Sequence, residues 1–296
     1  MPDVVAIGSA NVDVIFRVAR LVAPGETISA REVCHTPGGK SANQAVAAAR
    51  MGAPTRFVGC LGDDGHGGLL RDALRDAGVD TSAVRISGAA PTGSAFICVD
   101  DDSENTIVLA TGTNALLDVR DLDGVCFGRG DVVTLCGETP PAVVAEAARR
   151  GSDGGAIVIL NGSPVEGFDA AVLPWVDVLV VNTGELRALA NADASDGSIH
   201  DARERLGVDA LIVTLGAAGV VCDAGTVVRL PGHAVDAVDT TGCGDAFLGA
   251  LAAGLATGHD LRDAVGRANA AAALAATALG AQPSYPTASS VDELLA

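Results

Sequence analysis

The sequence predicts an α/β protein: a doubly wound, mostly parallel sheet flanked by helices, with a small β-sheet lid. Three observations predict it. From Asp131 onward, short apolar runs alternate with helical patterns, the signature of βαβ units. The first run, Val4-Val5-Ala6-Ile7-Gly8-Ser9, is apolar throughout before its small-residue end, as a parallel strand covered on both faces requires. Two glycine-rich loops, ending at Gly39 and Gly244, each run straight into an Ala-rich helix.

The elements follow in order. After the first strand come Asn11 and Asp13, where either turn chemistry or a ligand at a strand's carboxyl end explains the polar pair. Residues 14–36 alternate weakly around the turn Ala23-Pro24-Gly25-Glu26 and read as a hairpin or flap. Thr36-Pro37-Gly38-Gly39-Lys40-Ser41-Ala42-Asn43-Gln44 opens a helix that stops at Gly52. A strand at 56–62 and a helix at about 67–77 come next. Strands at 94–99 and 105–110, joined by the acidic turn Asp100-Asp101-Asp102-Ser103, are suited to pair with the flap. The alternating half reads strand 131–136, helix 140–150, strands 155–160 and 176–181, helices 184–190 and 198–206, and strand 209–214. Polar residues recur at its strand ends: Glu138, Asn161, and Asn182 with Glu185. A glycine-containing turn, Thr214-Leu215-Gly216-Ala217-Ala218-Gly219, leads to a hairpin at 219–223 and 226–230. Then come the second glycine loop, its apolar helix, and a long Ala-rich helix over 261–279 containing Asn269. No repeat or low-complexity linker interrupts the 296 residues, which read as one domain with a lid built from about 14–36 and 93–110.

Composition excludes several classes. The formal charge of -18 argues against nucleic acid and against an anionic membrane. No apolar run is long enough to span a bilayer, and the N-terminus lacks the basic flank of a signal peptide. Seven scattered cysteines without C-x-x-C pairs read as reduced thiols in the cytoplasm. Acids are 28 Asp to 9 Glu and bases 18 Arg to one Lys, a bias that high genomic GC or adaptation to salt would each produce. Lys40, the single lysine, stands in the first glycine loop, where a compact ammonium is of use. That loop lacks Walker spacing, and no G-x-G-x-x-G follows the first strand, so neither a P-loop nor a dinucleotide dehydrogenase fits.

The second loop, Val238-Asp239-Thr240-Thr241-Gly242-Cys243-Gly244-Asp245, presents unpaired N–H groups and a helix dipole to an anion. Asp245 in its first turn is either a helix cap or a base beside that anion. The wider pattern bears on the choice. Gly38 to Ala49 resembles the N-terminal signature of the ribokinase-like (PfkB) sugar kinases, Asp239 to Phe247 resembles their C-terminal signature, and Asn182-Thr183-Gly184-Glu185 looks like their N-x-x-E motif. The resemblance spans essentially the whole chain, and the tail Gly280-Ala281-Gln282-Pro283-Ser284 is most similar to the ribose-phosphorylating branch.

The resemblance implies ATP-dependent phosphorylation of the primary 5-hydroxyl of D-ribose, or of another small sugar or a nucleoside. Asn11, Asp13, Gly39, Lys40, Ser41, Ala42, Asn43 and Glu138 would hold the sugar, and Asp245 would be the base. Gly242, Cys243 and Gly244 would form the anion hole. Asn182 and Glu185 would sit by the phosphates and Mg2+, and Thr214, Leu215, Gly216, Ala217, Ala218, Gly219 and Asn269 would line the nucleotide. A monovalent cation, K+, would lie on Asp239, Thr241, Ala275, Ala278, Gly280 and Ser284, and the lid would form a homodimer. Only Phe16 and Phe96 supply aromatic bulk in the lid, which favours a small sugar over a nucleoside. A non-catalytic sugar-binding protein is disfavoured because Asp245, Gly242, Gly244, Asn182 and Glu185 are all intact. Two positions depart from the pattern. Ser41 replaces the usual glycine, so its hydroxymethyl is expected to add a hydrogen bond or to narrow the sugar pocket. Cys243 replaces alanine, and a thiol at a helix N-terminus is expected to be a reactive thiolate.

Overall fold

The computed structural model describes residues 2–102 and 104–296; Met1, and Ser103 of the expected acidic turn, lie outside the described residues. Strand β1 (Val4–Ile7) leads into β2 (Asn11–Arg17), which turns back as β3 (Glu32–Gly38) and enters helix α1 (Lys40–Arg50). Next come β4 (Thr55–Gly62), α2 (Gly65–Asp76), β5 (Val84–Ser87), and the hairpin β6 (Ser94–Val99) and β7 (Asn105–Ala110). The second half runs β8 (Val132–Cys136), α3 (Pro141–Gly154), β9 (Ile157–Asn161), β10 (Val178–Asn182), α4 (Thr183–Ala190) and α5 (Asp196–Leu206). It ends with β11 (Ala210–Thr214), β12 (Val220–Asp223), β13 (Val227–Leu230), α6 (Cys243–Ala256), α7 (Leu261–Ala275) and α8 (Ala288–Leu295).

Nine strands form the main sheet in the order β13-β12-β11-β10-β9-β8-β1-β4-β5, parallel except for the β12–β13 edge. The all-apolar strands are buried on both faces. Val5 and Ile7 pack with Val133, Leu135 and Val143 of α3, whereas Val4 packs with Val132 and Ile159 beneath Phe247 and Leu251 of α6. The lid is a separate four-stranded sheet, β3-β2-β6-β7, in which β2 and β6 run parallel. The expected pairing of the flap with the 94–110 hairpin is thus present.

Small residues let α1 and α6 approach closely. A Cβ on Gly249 would lie 2.5 Å from both the Ala47 Cβ and the Gln44 carbonyl oxygen, so only glycine fits there. Ends are set locally: Asp64 caps α2 by accepting from Gly67 N–H at 2.8 Å, and Gly155 closes α3 in the left-handed region.

The structure differs from the expectation at four places. Asn11 and Asp13 are not in a turn after the first strand; they are the first residues of lid strand β2, because the backbone bends at Gly8-Ser9-Ala10 and extends again. The last long helix ends at Ala275, not at 279, where the Ala276 carbonyl accepts Val238 and Asp239 N–H from the incoming loop. Strand β5 and helix α8 were not expected; β5 is four residues long and half-exposed, and α8 is begun by the Thr287 hydroxyl, which accepts from Ser290 N–H at 3.3 Å.

Candidate active site

Strand order places the site. From β1 the chain builds outward through β4 and β5 on one side, then returns to β8 on the other and builds outward through β9, β10 and β11. The order reverses between β1 and β8, and a crevice opens beyond their carboxyl ends. There the Ser9 hydroxyl donates to Glu138 Oε2, and the Lys40 N–H reaches the same oxygen at 3.4 Å.

Asp245 enters this crevice from the first turn of α6 and is buried. Its carboxylate does not cap the helix. Oδ2 accepts from Asn43 Nδ2 at 3.0 Å, and Oδ1 accepts from Gln44 Nε2 at 3.4 Å. Burial raises its pKa most; Lys40 and the Asn43 amide oppose that rise without cancelling it. Lys40 answers in kind. Burial works against its ammonium, but Asp245, Glu138, Cys136 and Glu185 outweigh burial and hold its pKa above the ordinary lysine value.

Asp13 reaches the same place from the root of the lid. Its carboxylate packs on the Cα of Gly38, where an added Cβ would fall 2.3 Å from Oδ2. Burial, then Glu138 and Asp245, push its pKa from 3.8 to about 7. Asn11 is buried beside it and accepts from Asn114 Nδ2 at 2.7 Å, while Asn114 also clamps the Ala10 backbone. Asn114 carried no sequence signal, being a hundred residues away in a single short 3-10 turn, Gly112–Leu116.

A cleft of about 220 Å³ continues from Lys40, Gly242, Gly244 and Asp245 to Asn161, Ser163, Asn182, Glu185 and Thr214. Asn182 and Glu185 form a capping box on α4, Asn182 Oδ1 accepting Glu185 N–H at 2.9 Å and Glu185 Oε2 accepting Asn182 N–H at 2.8 Å. The motif is therefore both a helix start and part of the cleft wall. Leu215, Gly216, Ala217, Ala218 and Gly219 form a tight turn beyond Thr214, and Asn269 donates to the Pro231 carbonyl at 2.8 Å; neither lines this cleft.

The expected anion loop is a sharp turn. Gly242 caps α6 with φ of 75°, and a Cβ there would meet the buried Tyr285 hydroxyl at 2.6 Å. Cys243 N–H donates to Thr240 O at 3.2 Å and so is already engaged. Asp239 accepts from Thr241 N–H at 2.9 Å and Gly280 N–H at 2.8 Å, joining the loop to the C-terminal strap; these bonds outweigh burial and hold its pKa below the usual value. Ala275 and Ala278 share a turn, and the Ser284 hydroxyl donates to Ala281 O at 2.8 Å. Among the described residues, no three His, Cys, Asp or Glu side chains gather closely enough to hold a metal unaided.

Both departures read differently in the structure. The buried Ser41 hydroxyl points away from the crevice, donating to Ile7 O at 3.1 Å and lying 3.3 Å from Cys136 Sγ, in the space left by Gly8. Ala42 is buried and its N–H donates to Ser9 O at 3.0 Å. The Ser41 hydroxyl is thus engaged by the β1 backbone and Cys136. Cys243 is not a thiolate: burial, then Asp239 and Asp245, push its pKa up to about 11, overriding the helix N-terminus.

The description "pfkB family carbohydrate kinase" matches residues 1–288. The chain is 35% identical over 293 residues to a ribokinase of Haemophilus influenzae, covering 95% of this chain and 94% of that one. It is equally 35% identical, over 303 residues, to an ATP-dependent ribose-1-phosphate kinase of Halopiger xanaduensis, covering 100% and 98%. The structure of Arabidopsis thaliana ribokinase complexed with ribose and ATP superposes with a TM-score of 0.88 at 34% identity, covering 99% and 98%.

Proposed function

The chain belongs to the pfkB family of carbohydrate kinases, which transfer phosphate from ATP, and we propose that it phosphorylates the primary 5-hydroxyl of D-ribose with Asp245 as general base. One observation carries this reading: a buried carboxylate at a helix N-terminus shares one cleft with Lys40, Asn182 and Glu185. Phosphoryl transfer asks a protein for positioning and charge neutralisation. The sugar is held at the base of the lid by Asn11, Asp13, Lys40, Glu138 and the second amide hydrogen of Asn43, along the Gly39 to Asn43 segment. Asp245, its proton affinity raised by burial, takes the hydroxyl proton as the alcohol attacks. Gly242, Gly244 and the α6 N-terminus hold the transferring phosphoryl, and Lys40 balances the charge of the ionised base until it takes the proton.

ATP runs along the cleft past Asn182 and Glu185 to Thr214, with the turn through Gly219 and Asn269 at its far end. Glu185, half-buried in the cleft wall, would hold Mg2+, which supplies charge neutralisation to the phosphates. K+ would sit on Asp239, Thr241 and the carbonyls of Ala275, Ala278 and Gly280 with Ser284; the ionised Asp239 beside the end of α7 supports this. The exposed lid strand β7, with Val108 68% exposed beside Ile107 and Leu109, supports a homodimer through the lid. Seven free cysteines support a reducing, cytoplasmic setting.

The test is coupled ADP release from ribose, deoxyribose, fructose, ribose 1-phosphate and nucleosides, in potassium and in a large organic cation. Ribose should turn over best and potassium should raise the rate. A preference for ribose 1-phosphate would favour the second reading that the Halopiger relative motivates. Asp245→Asn should bind sugar but lose about 10²- to 10⁴-fold in kcat; more than about a tenth of wild-type rate would sink the base assignment.

A further inference from the structure

The C-terminal strap reaches the base without touching it. Gln282 Nε2 donates to Asn43 Oδ1 at 3.0 Å, and Asn43 Nδ2 donates to Asp245 Oδ2 at 3.0 Å. We infer that Gln282 is a positioning residue for the base, acting through Asn43 to fix which end of that amide faces Asp245. The inference rests on the reading of Asp245 as the base.

The direction of the chain of amides is forced. An ionised carboxylate only accepts, so the Asn43 end facing it must be the NH2. Asn43 Oδ1 then points the other way and needs a donor, which Gln282 supplies; Gln282 turned over would set two carbonyl oxygens 3.0 Å apart. The two ends of an amide have nearly the same shape, so packing alone does not choose between them. Without the Gln282 donor, Asn43 is free to turn its oxygen to Asp245, which repels the ionised base.

The other amide on Asp245 shows the contrast. Gln44 donates at a longer 3.4 Å, and its Oε1 is buried with no partner. Only the Asn43 side is held from behind. The strap itself is anchored at both ends, by Gly280 N–H on Asp239 at 2.8 Å and by Arg50 on the Tyr285 carbonyl at 2.8 Å. All three amide-bearing residues, Asn43, Gln44 and Gln282, are buried, which excludes water as a ready substitute.

The experiment uses the full chain, D-ribose and ATP, with Gln282→Met and Gln282→Glu. Removing one neutral hydrogen bond, about 1 kcal/mol, predicts roughly a fivefold loss of kcat in Gln282→Met. Turning Asn43 also withdraws its second amide hydrogen from the sugar, so the KM for ribose should rise by no more than about fivefold, and the acid limb of the kcat–pH profile should move to higher pH. Gln282→Glu keeps the shape but offers an acceptor, so its loss should be larger and the limb should move further. If Gln282→Met melts below the assay temperature, Gln282→Glu carries the test, and its limb must still move. A wild-type kcat with an unmoved limb, or a loss confined to KM, overturns the inference. Asp245→Asn run in parallel separates the failures: an active Asp245→Asn removes the base itself, whereas an inactive one beside an unaffected Gln282→Met removes only the positioning role.

Discussion

Asp13→Asn should stabilise the ligand-free protein at alkaline pH while weakening sugar binding. Burial, with Glu138 and Asp245 adding to it, raises the Asp13 pKa from 3.8 to about 7. Between about pH 4 and pH 7 the folded state therefore keeps a proton that the unfolded state has lost. Stability contributed by the protonated acid is complete below pH 4 and is lost as pH rises to 7. About three units at 1.36 kcal/mol each sets a ceiling of about 4 kcal/mol. Asp13 is partly solvent-exposed, so about 1–2 kcal/mol is expected, or roughly 2–3 °C in Tm for a chain of this size. Asparagine has the same shape without the charge. In thermal melts without ligand, Asp13→Asn should match wild type at pH 4 and exceed it at pH 8. Equal Tm differences at the two pH values, or a variant less stable at pH 8, would refute the reasoning. Loss of a hydrogen bond to a charged group, about 1.5–3 kcal/mol, should raise the KM for ribose about 10- to 100-fold.

Gly249→Ala would place a methyl 2.5 Å from Ala47 Cβ and Gln44 O; overpacking of about 1–3 kcal/mol should lower Tm, and the displaced α1 should lower kcat with it. A fully stable, fully active Gly249→Ala would show that α1 yields without moving Gln44. Ser41→Gly should leave the KM for ribose within twofold, since the hydroxyl bonds Ile7 O, and should cost about 1 kcal/mol in denaturant unfolding. A threefold or larger change in KM would mean that the hydroxyl faces the sugar after all.

Regular elements were legible because their physics is local. The largely apolar β8 to β11, the capping box Asn182-Thr183-Gly184-Glu185 and the paired loops ending at Gly39 and Gly244 each carry their signal within a few residues. The lid was legible as two hairpins, but not the start of β2 at Asn11, because the bend lies upstream at Gly8-Ser9-Ala10 and the turn-prone Asn11 is already extended. What pairs across the fold was hidden. Asn114 on Asn11 and Gln282 on Asn43 are separated by 103 and 239 residues, and an isolated Asn or Gln has no periodicity to betray it. Ser41 and Cys243 differ from the expectation for one reason: sequence gives a residue's neighbours along the chain but not the direction of its side chain. Ser41 turns into the core, and the half-buried Cys243 feels the charges of Asp239 and Asp245.

A chain with a formal charge of -18 that binds a nucleotide polyphosphate must reverse its own field locally. The topology provides the means. In a doubly wound sheet, helices that follow strands begin at the carboxyl edge, so their positive ends face the crevice. Lys40 opens α1, Asn182 caps α4 and Gly242 caps α6, and all three line one cleft. The two cleft carboxylates do not undo this. Glu185 is turned onto Asn182 N–H, and Asp245 is held between two amides. Among the described residues that line the cleft, Lys40 is the one cation, and a guanidinium would need several acceptors in a fork where the site offers separate carboxylates from different elements. The acidic surface then governs solubility and the long-range field, while the sheet's reversal of strand order, with three helix starts and one ammonium, governs what the cleft accepts.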